Sequence, residues 1–75
     1  MKDLIEFIAR SLVDDPTEVR VRQIVRNGRI RLELVVAEND MGRVIGRKGR
    51  VANAMRSLLR VAAARKGMRA SLEII

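Results

Sequence analysis

The dipeptide Asn27-Gly28 constrains this chain more than any other feature. A type I′ turn needs positive φ at both central residues, and Asn-Gly supplies it at least cost. The flanks alternate as hairpin strands should. A two-residue loop pairs Arg26 with Arg29, and that one pairing sets all the others. Val25 then faces Ile30, Val21 faces Leu34 and Val19 faces Val36, all on one side, with Gln23 opposite Leu32 as the exception. The other side carries Arg20, Arg22, Arg26, Arg29, Arg31 and Glu33, with Ile24 and Val35 as apolar exceptions. A one-residue slip would turn every apolar side chain to the wrong face, so turn and pattern together define a hairpin over residues 18–37.

Other elements fall around it. Leu4, Ile8 and Leu12, with Ile5 beside them, predict an amphipathic helix over residues 3–13. Asp3 and Glu6 suit its first turn. Asp14-Asp15-Pro16 ends it, because a residue before proline avoids the helical region. Asn39-Asp40 offers an N-cap for a short helix from Met41 to Ile45. A second helix is expected over residues 50–66. Val51, Ala54, Met55, Leu58, Val61 and Ala62 are its expected buried stripe, and Gly67 its C-terminal stop. Residues 69–75 alternate again as a third strand. The order α-β-β-α-α-β, with a helical crossover between the second and third strands, favours a parallel connection. The expected fold is α+β: one domain over residues 1–75, with a mixed three-stranded sheet covered on one face by three helices.

Composition excludes several functions. Cysteine and histidine are absent, and Phe7 is the only aromatic residue, read as core or a partner contact. Disulfides, thiolate chemistry and the commonest general base and metal ligand are therefore missing. No cofactor or metal is expected, and no catalytic constellation; the adjacent acids Asp14 and Asp15 read as a helix stop. No segment approaches the roughly 20 apolar residues that span a bilayer. No signal-peptide pattern opens the chain, so the expected compartment is the cytoplasm. A base-stacking sheet of the RRM type is excluded, because no strand holds an aromatic residue.

The net charge of +7 points to a polyanionic partner. Between residues 41 and 69 stand nine lysines and arginines and no acid. Within that stretch, Gly46-Arg47-Lys48-Gly49 joins the two expected helices. Terminal glycines allow backbone angles closed to other residues and leave room for a partner to approach. Backbone N–H groups of the turn and of the following helix start are expected to point outward, where they favour an anion. Alone, G-x-x-G is a chance-level pattern. Its setting is informative: Val44-Ile45 precedes it, both inner residues are cationic, and it lies inside a β-α-α-β unit.

Val44-Ile45-Gly46-Arg47-Lys48-Gly49 resembles the V-I-G-x-x-G signature of KH domains, and the element order resembles their bacterial type II form. More narrowly, Asp14-Asp15-Pro16, Asp40-Met41-Gly42 and Gly49-Arg50-Val51-Ala52 resemble the KhpA-like family of small single-KH-domain bacterial proteins. The resemblance covers the whole chain. It departs at Ala52, where many KH domains carry a large aliphatic residue.

The resemblance implies a groove holding about four nucleotides of single-stranded RNA, with the loop clamping the backbone. Carried over by position, Gly46, Arg47, Lys48 and Gly49 would contact phosphates. Gly42, Ile45 and Ala54 would line the groove; Ile45 reads equally well as core. Arg43, Arg50 and Arg56 would add peripheral positive potential. The resemblance also implies an RNA-chaperone or post-transcriptional role, a KhpB-like (Jag) KH-containing partner, and links to cell-wall and cell-shape homeostasis. Two other readings stand beside it. One is a protein-interaction or assembly subunit, for instance a homodimer that buries more surface. The other is a single-stranded DNA binder, since the loop would meet phosphates in either case.

Overall fold

The hairpin forms with the register that Asn27-Gly28 dictates. In a computed structural model describing all of residues 1–75, β1 (Arg20–Arg26) pairs antiparallel with β2 (Arg29–Val35). Arg26 lies opposite Arg29, Val25 opposite Ile30 and Val21 opposite Leu34. Asn27 and Gly28 have φ of 50° and 74°, as the turn requires. The third strand, β3 (Arg69–Ile74), pairs with β2 in parallel, giving the sheet order β1-β2-β3. Helix α1 (Lys2–Leu12) precedes the hairpin, and α2 (Met41–Ile45) and α3 (Arg50–Ala64) form the crossover. This is the expected α+β KH architecture.

Helix ends follow local chemistry. Pro16 stops α1 and opens a single 3₁₀ turn. Beyond α3, Gly67 takes φ of 68°; its N–H donates to Ala64 O, and that of Met68 reaches back to Ala63 O at 2.9 Å. This crossed pair of bonds satisfies carbonyls that a helix end would otherwise leave open.

Ile30, Leu32, Leu34 and Val36 run along the centre of the core, with Val19, Val21 and Leu72 at their flanks. The helices present Ile5, Ala9, Val44, Met55 and Leu59 to them, and Ala52 and Ala63 are also buried. Three expectations are corrected here. The buried line of α3 is Ala52, Met55, Leu59 and Ala63, whereas Ala54, Leu58 and Val61 are exposed. In α1 the buried residues are Ile5 and Ala9, with Leu4 and Ile8 half-buried and Leu12 exposed. Relative to the expected stripes each helix is rotated about its axis, so that Ala9 of α1 and Ala52 and Ala63 of α3 are buried. Val25, expected inside, is also exposed, because the helical layer does not reach the turn end of the edge strand β1.

Asp40 corrects another expectation. It precedes α2, but its side chain caps no helix N–H. Almost fully buried, its carboxylate accepts hydrogen bonds from the backbone N–H of Asp14 (3.0 Å) and of Asp15 (3.1 Å). It thereby ties the segment after α1 to the entrance of α2.

Candidate nucleic-acid interface

Helix α2 ends because Gly46 adopts φ 76°, ψ 172°, a region that only glycine enters freely. A hydrogen bond from Gly46 N–H to Gly42 O closes its last turn at 2.9 Å. The chain then doubles back through Lys48 (φ 57°, ψ 24°) and Gly49 (φ 75°, ψ 15°) into α3. Two of the N–H groups expected to point outward are used inside the turn. Gly49 N–H donates to Gly46 O, and Arg50 N–H to Arg47 O. The anion-attracting character of the turn therefore rests more on its side chains than on these two amides.

The two loop glycines are needed for different reasons. A Cβ on Gly46 would lie 2.5 Å from Val51 Cγ2 and 2.9 Å from Val51 N, so the turn is packed onto the first turn of α3. A Cβ on Gly49 would meet nothing closer than Asn53 Nδ2 at 3.7 Å, so Gly49 is required by its angles alone. Gly42 has neither constraint. A Cβ there would meet nothing within 4 Å, and its bareness leaves the outer surface of α2 open.

Arg47, Lys48 and Arg50 are exposed, and none has an acidic partner. Arg43 differs. Its guanidinium pairs with Asp14 (3.0 Å) and lies 3.5 Å from Asp40, so much of its charge is already answered within the molecule. Arg56 is half-buried against β3, the other edge strand. Its Nε donates to Leu72 O and its Nη1 to Asn53 Oδ1, each at 3.2 Å. It thus covers one open carbonyl of the edge. Beside it, Arg56, Leu59, Arg60, Ala70, Ser71 and Leu72 line a small depression of about 110 Å³ between α3 and β3.

A family model described as KhpA/KhpB, KH domain matches residues 2–74. The chain belongs to this family. It is 49% identical to the RNA-binding protein KhpA of Clostridium acetobutylicum and 45% identical to that of Clostridium perfringens, over the whole of both chains in each case. It is 47% identical to the RNA-binding protein KhpA of Borreliella burgdorferi, over 97% of this chain and 89% of the relative. No solved structure matches it significantly.

The KH fold brings Gly42, Ile45, Gly46, Arg47, Lys48, Gly49 and Arg50 together around one turn. Ile45 is 37% exposed at the end of α2, on the surface rather than in the core. Ala54 stands apart from Arg56. Two residues along a helix point about 200° apart, and Ala54 falls on the side of α3 that exposes Leu58 and Val61. Ala52, the expected departure from many KH domains, is 3% exposed. Asn53, which bonds Arg56, and Arg60 and Ser71, which line the depression beside it, were not among the expected interface residues. The helical spacing Asn53, Arg56, Arg60 was the available signal, because i, i+3 and i+7 share one side of a helix. Ser71 had none, since only strand pairing places it beside α3.

Proposed function

We propose that this protein is a non-enzymatic RNA-binding protein that clamps a single-stranded RNA backbone with the Gly46-Arg47-Lys48-Gly49 turn. One observation carries the reading: Arg47, Lys48 and Arg50 stand exposed, without acidic partners, around a turn whose glycines hold its backbone bare. Its relatives' name, RNA-binding protein KhpA, supports it. Arg56 and Ile45 border the strand's path, and Arg43, held by Asp14, contributes least. Ala54 falls outside this path.

The test is the double variant Arg47→Asp/Lys48→Asp, followed by fluorescence anisotropy with single-stranded RNA. Affinity is expected to fall at least tenfold, and the salt dependence to flatten by about 0.7 in log–log slope for each phosphate no longer neutralised. Wild-type affinity in a folded double variant would sink the reading. Competition between RNA and DNA of matched sequence decides whether the 2′-hydroxyl is read.

The wider reading follows from family kinship. It comprises a chaperone or post-transcriptional role on RNA in the cytoplasm, joint action with a KhpB-like (Jag) partner, and a link to cell-wall and cell-shape homeostasis. A single family model spanning KhpA and KhpB supports the partner. A second reading, assembly with another copy or a KH-containing partner, is favoured by the exposed Leu58 (52%) and Val61 (56%) on α3. Sedimentation of wild type and Leu58→Asp tests it: if both sediment alike as monomers, alone and with partner, that reading fails.

A further inference from the structure

The outer face of the sheet carries charge that the loop does not explain. Register places Arg26, Arg29 and Arg69 side by side in one row across all three strands. The two rows beyond bring in acids: Arg31 pairs with Glu33 and Glu73, and Arg22 with Glu33. No acid reaches the first row, and all three of its arginines are exposed. The backbone holds them there. Arg26 and Arg29 flank the Asn27-Gly28 turn, and Arg69 N–H donates to Gly28 O at 3.0 Å.

Like charges directly opposite one another in a sheet are destabilising. Cations on edge strands have a protective use, since they discourage pairing with another chain. That accounts for Arg26 on β1 and Arg69 on β3. It does not account for Arg29, which stands on the central strand with a neighbour on each side. Three arginines whose backbone positions are set by the register, with no acid to answer them, make a row of positive charge suited to an external polyanion. Arginine forks match phosphate oxygens, and Ile24 in the next row offers an apolar patch beside them.

We propose that Arg26, Arg29 and Arg69 form a second RNA-backbone site, which holds a stretch of RNA other than the one at the loop. The site lies on the face away from the helices and at the far end of α3, roughly 20 Å from the loop at 1.5 Å of rise per residue. One molecule then holds two RNA segments at once, as an activity that brings strands together requires. The inference rests on the RNA-binding reading of this protein.

The experiment uses the full chain carrying Arg26→Gln/Arg29→Gln/Arg69→Gln, with Arg29→Gln alone as the milder variant. Each is titrated with a tetranucleotide and with a long unstructured RNA over a range of salt, and each is melted. The triple variant is expected to keep wild-type affinity for the tetranucleotide and lose about tenfold or more for the long RNA. Its salt slope should fall by about 2, because three phosphates keep their counterions. Both variants should melt at or above the wild-type temperature, because repulsion within the row is relieved. Unchanged long-RNA affinity and slope would overturn the second site. So would an equal loss for both RNAs, which would mark a diffuse field. The loop variant Arg47→Asp/Lys48→Asp separates the two ideas. If it binds the tetranucleotide normally while the triple variant still loses long RNA, the loop reading fails and the second site stands.

Discussion

Gly46 rests on Val51 so closely that a single added methyl would come within 2.5 Å of Val51 Cγ2 and 2.9 Å of its backbone nitrogen. The turn and the first turn of α3 are therefore one packed unit. The nitrogen cannot move aside without disturbing the start of the helix, and the φ, ψ of Gly46 suit no other residue. Gly46→Ala is expected to destabilise the protein by about 2–3 kcal/mol, strain and overpacking together. Gly49→Ala should cost about 1 kcal/mol, from its backbone angles alone. Urea denaturation of the two variants checks the order; equal losses would contradict the packing described.

Lys48 holds a left-handed conformation without being glycine. Lys48→Gly removes that strain, so stability should rise by about 0.5–1 kcal/mol even after the extra chain entropy of glycine. RNA affinity should fall, because the tip of the turn no longer carries an unpaired cation. A decrease in both stability and affinity would show that the lysine side chain has a structural role.

Asp40 holds two backbone N–H groups 25 and 26 residues away in sequence. Asp40→Ala leaves both without a protein acceptor and frees Arg43 from one of its two acids. A loss of about 1–3 kcal/mol is expected by denaturant titration. Hydrogen exchange should quicken first at Asp14 and Asp15.

The phase of α3 is checked by a neighbouring pair. Leu59 is fully buried and Leu58 is half-exposed. Leu59→Ala should cost about 2–5 kcal/mol and Leu58→Ala less than about 1 kcal/mol. The reverse order in thermal melts would mean that the helix is turned the other way.

Much of this was legible from local chemistry. Asn27-Gly28, with an alternation broken only at Gln23, Ile24 and Val35, defined the hairpin register to the residue, because a turn of two residues leaves no freedom in the pairing. Asp40 and Gly46 bracketed α2 correctly, and Gly67 marked the stop after α3. The cationic glycine turn was visible for the same reason: its requirements are met by residues adjacent in the chain.

Tertiary structure alone decided which line of each helix faces inward. The apolar arcs of α1 and α3 are broad enough to admit two neighbouring lines. Large side chains and alanines occur on both lines of α3, so side-chain size does not choose between them. The packing of helices on the sheet buries Ala9, Ala52 and Ala63, and leaves Leu58 and Val61 outside. Asp40 serving Asp14 and Asp15, Arg56 covering the Leu72 carbonyl, and Arg69 joining Arg26 and Arg29 in one row are likewise tertiary facts. Asp40 and Arg56 each act on a residue distant in the chain, and no local pattern encodes which distant partner the fold will bring. Gly46 belongs to both levels: its backbone angles end a helix, and the packing of Val51 against it adds a second bar to any side chain there.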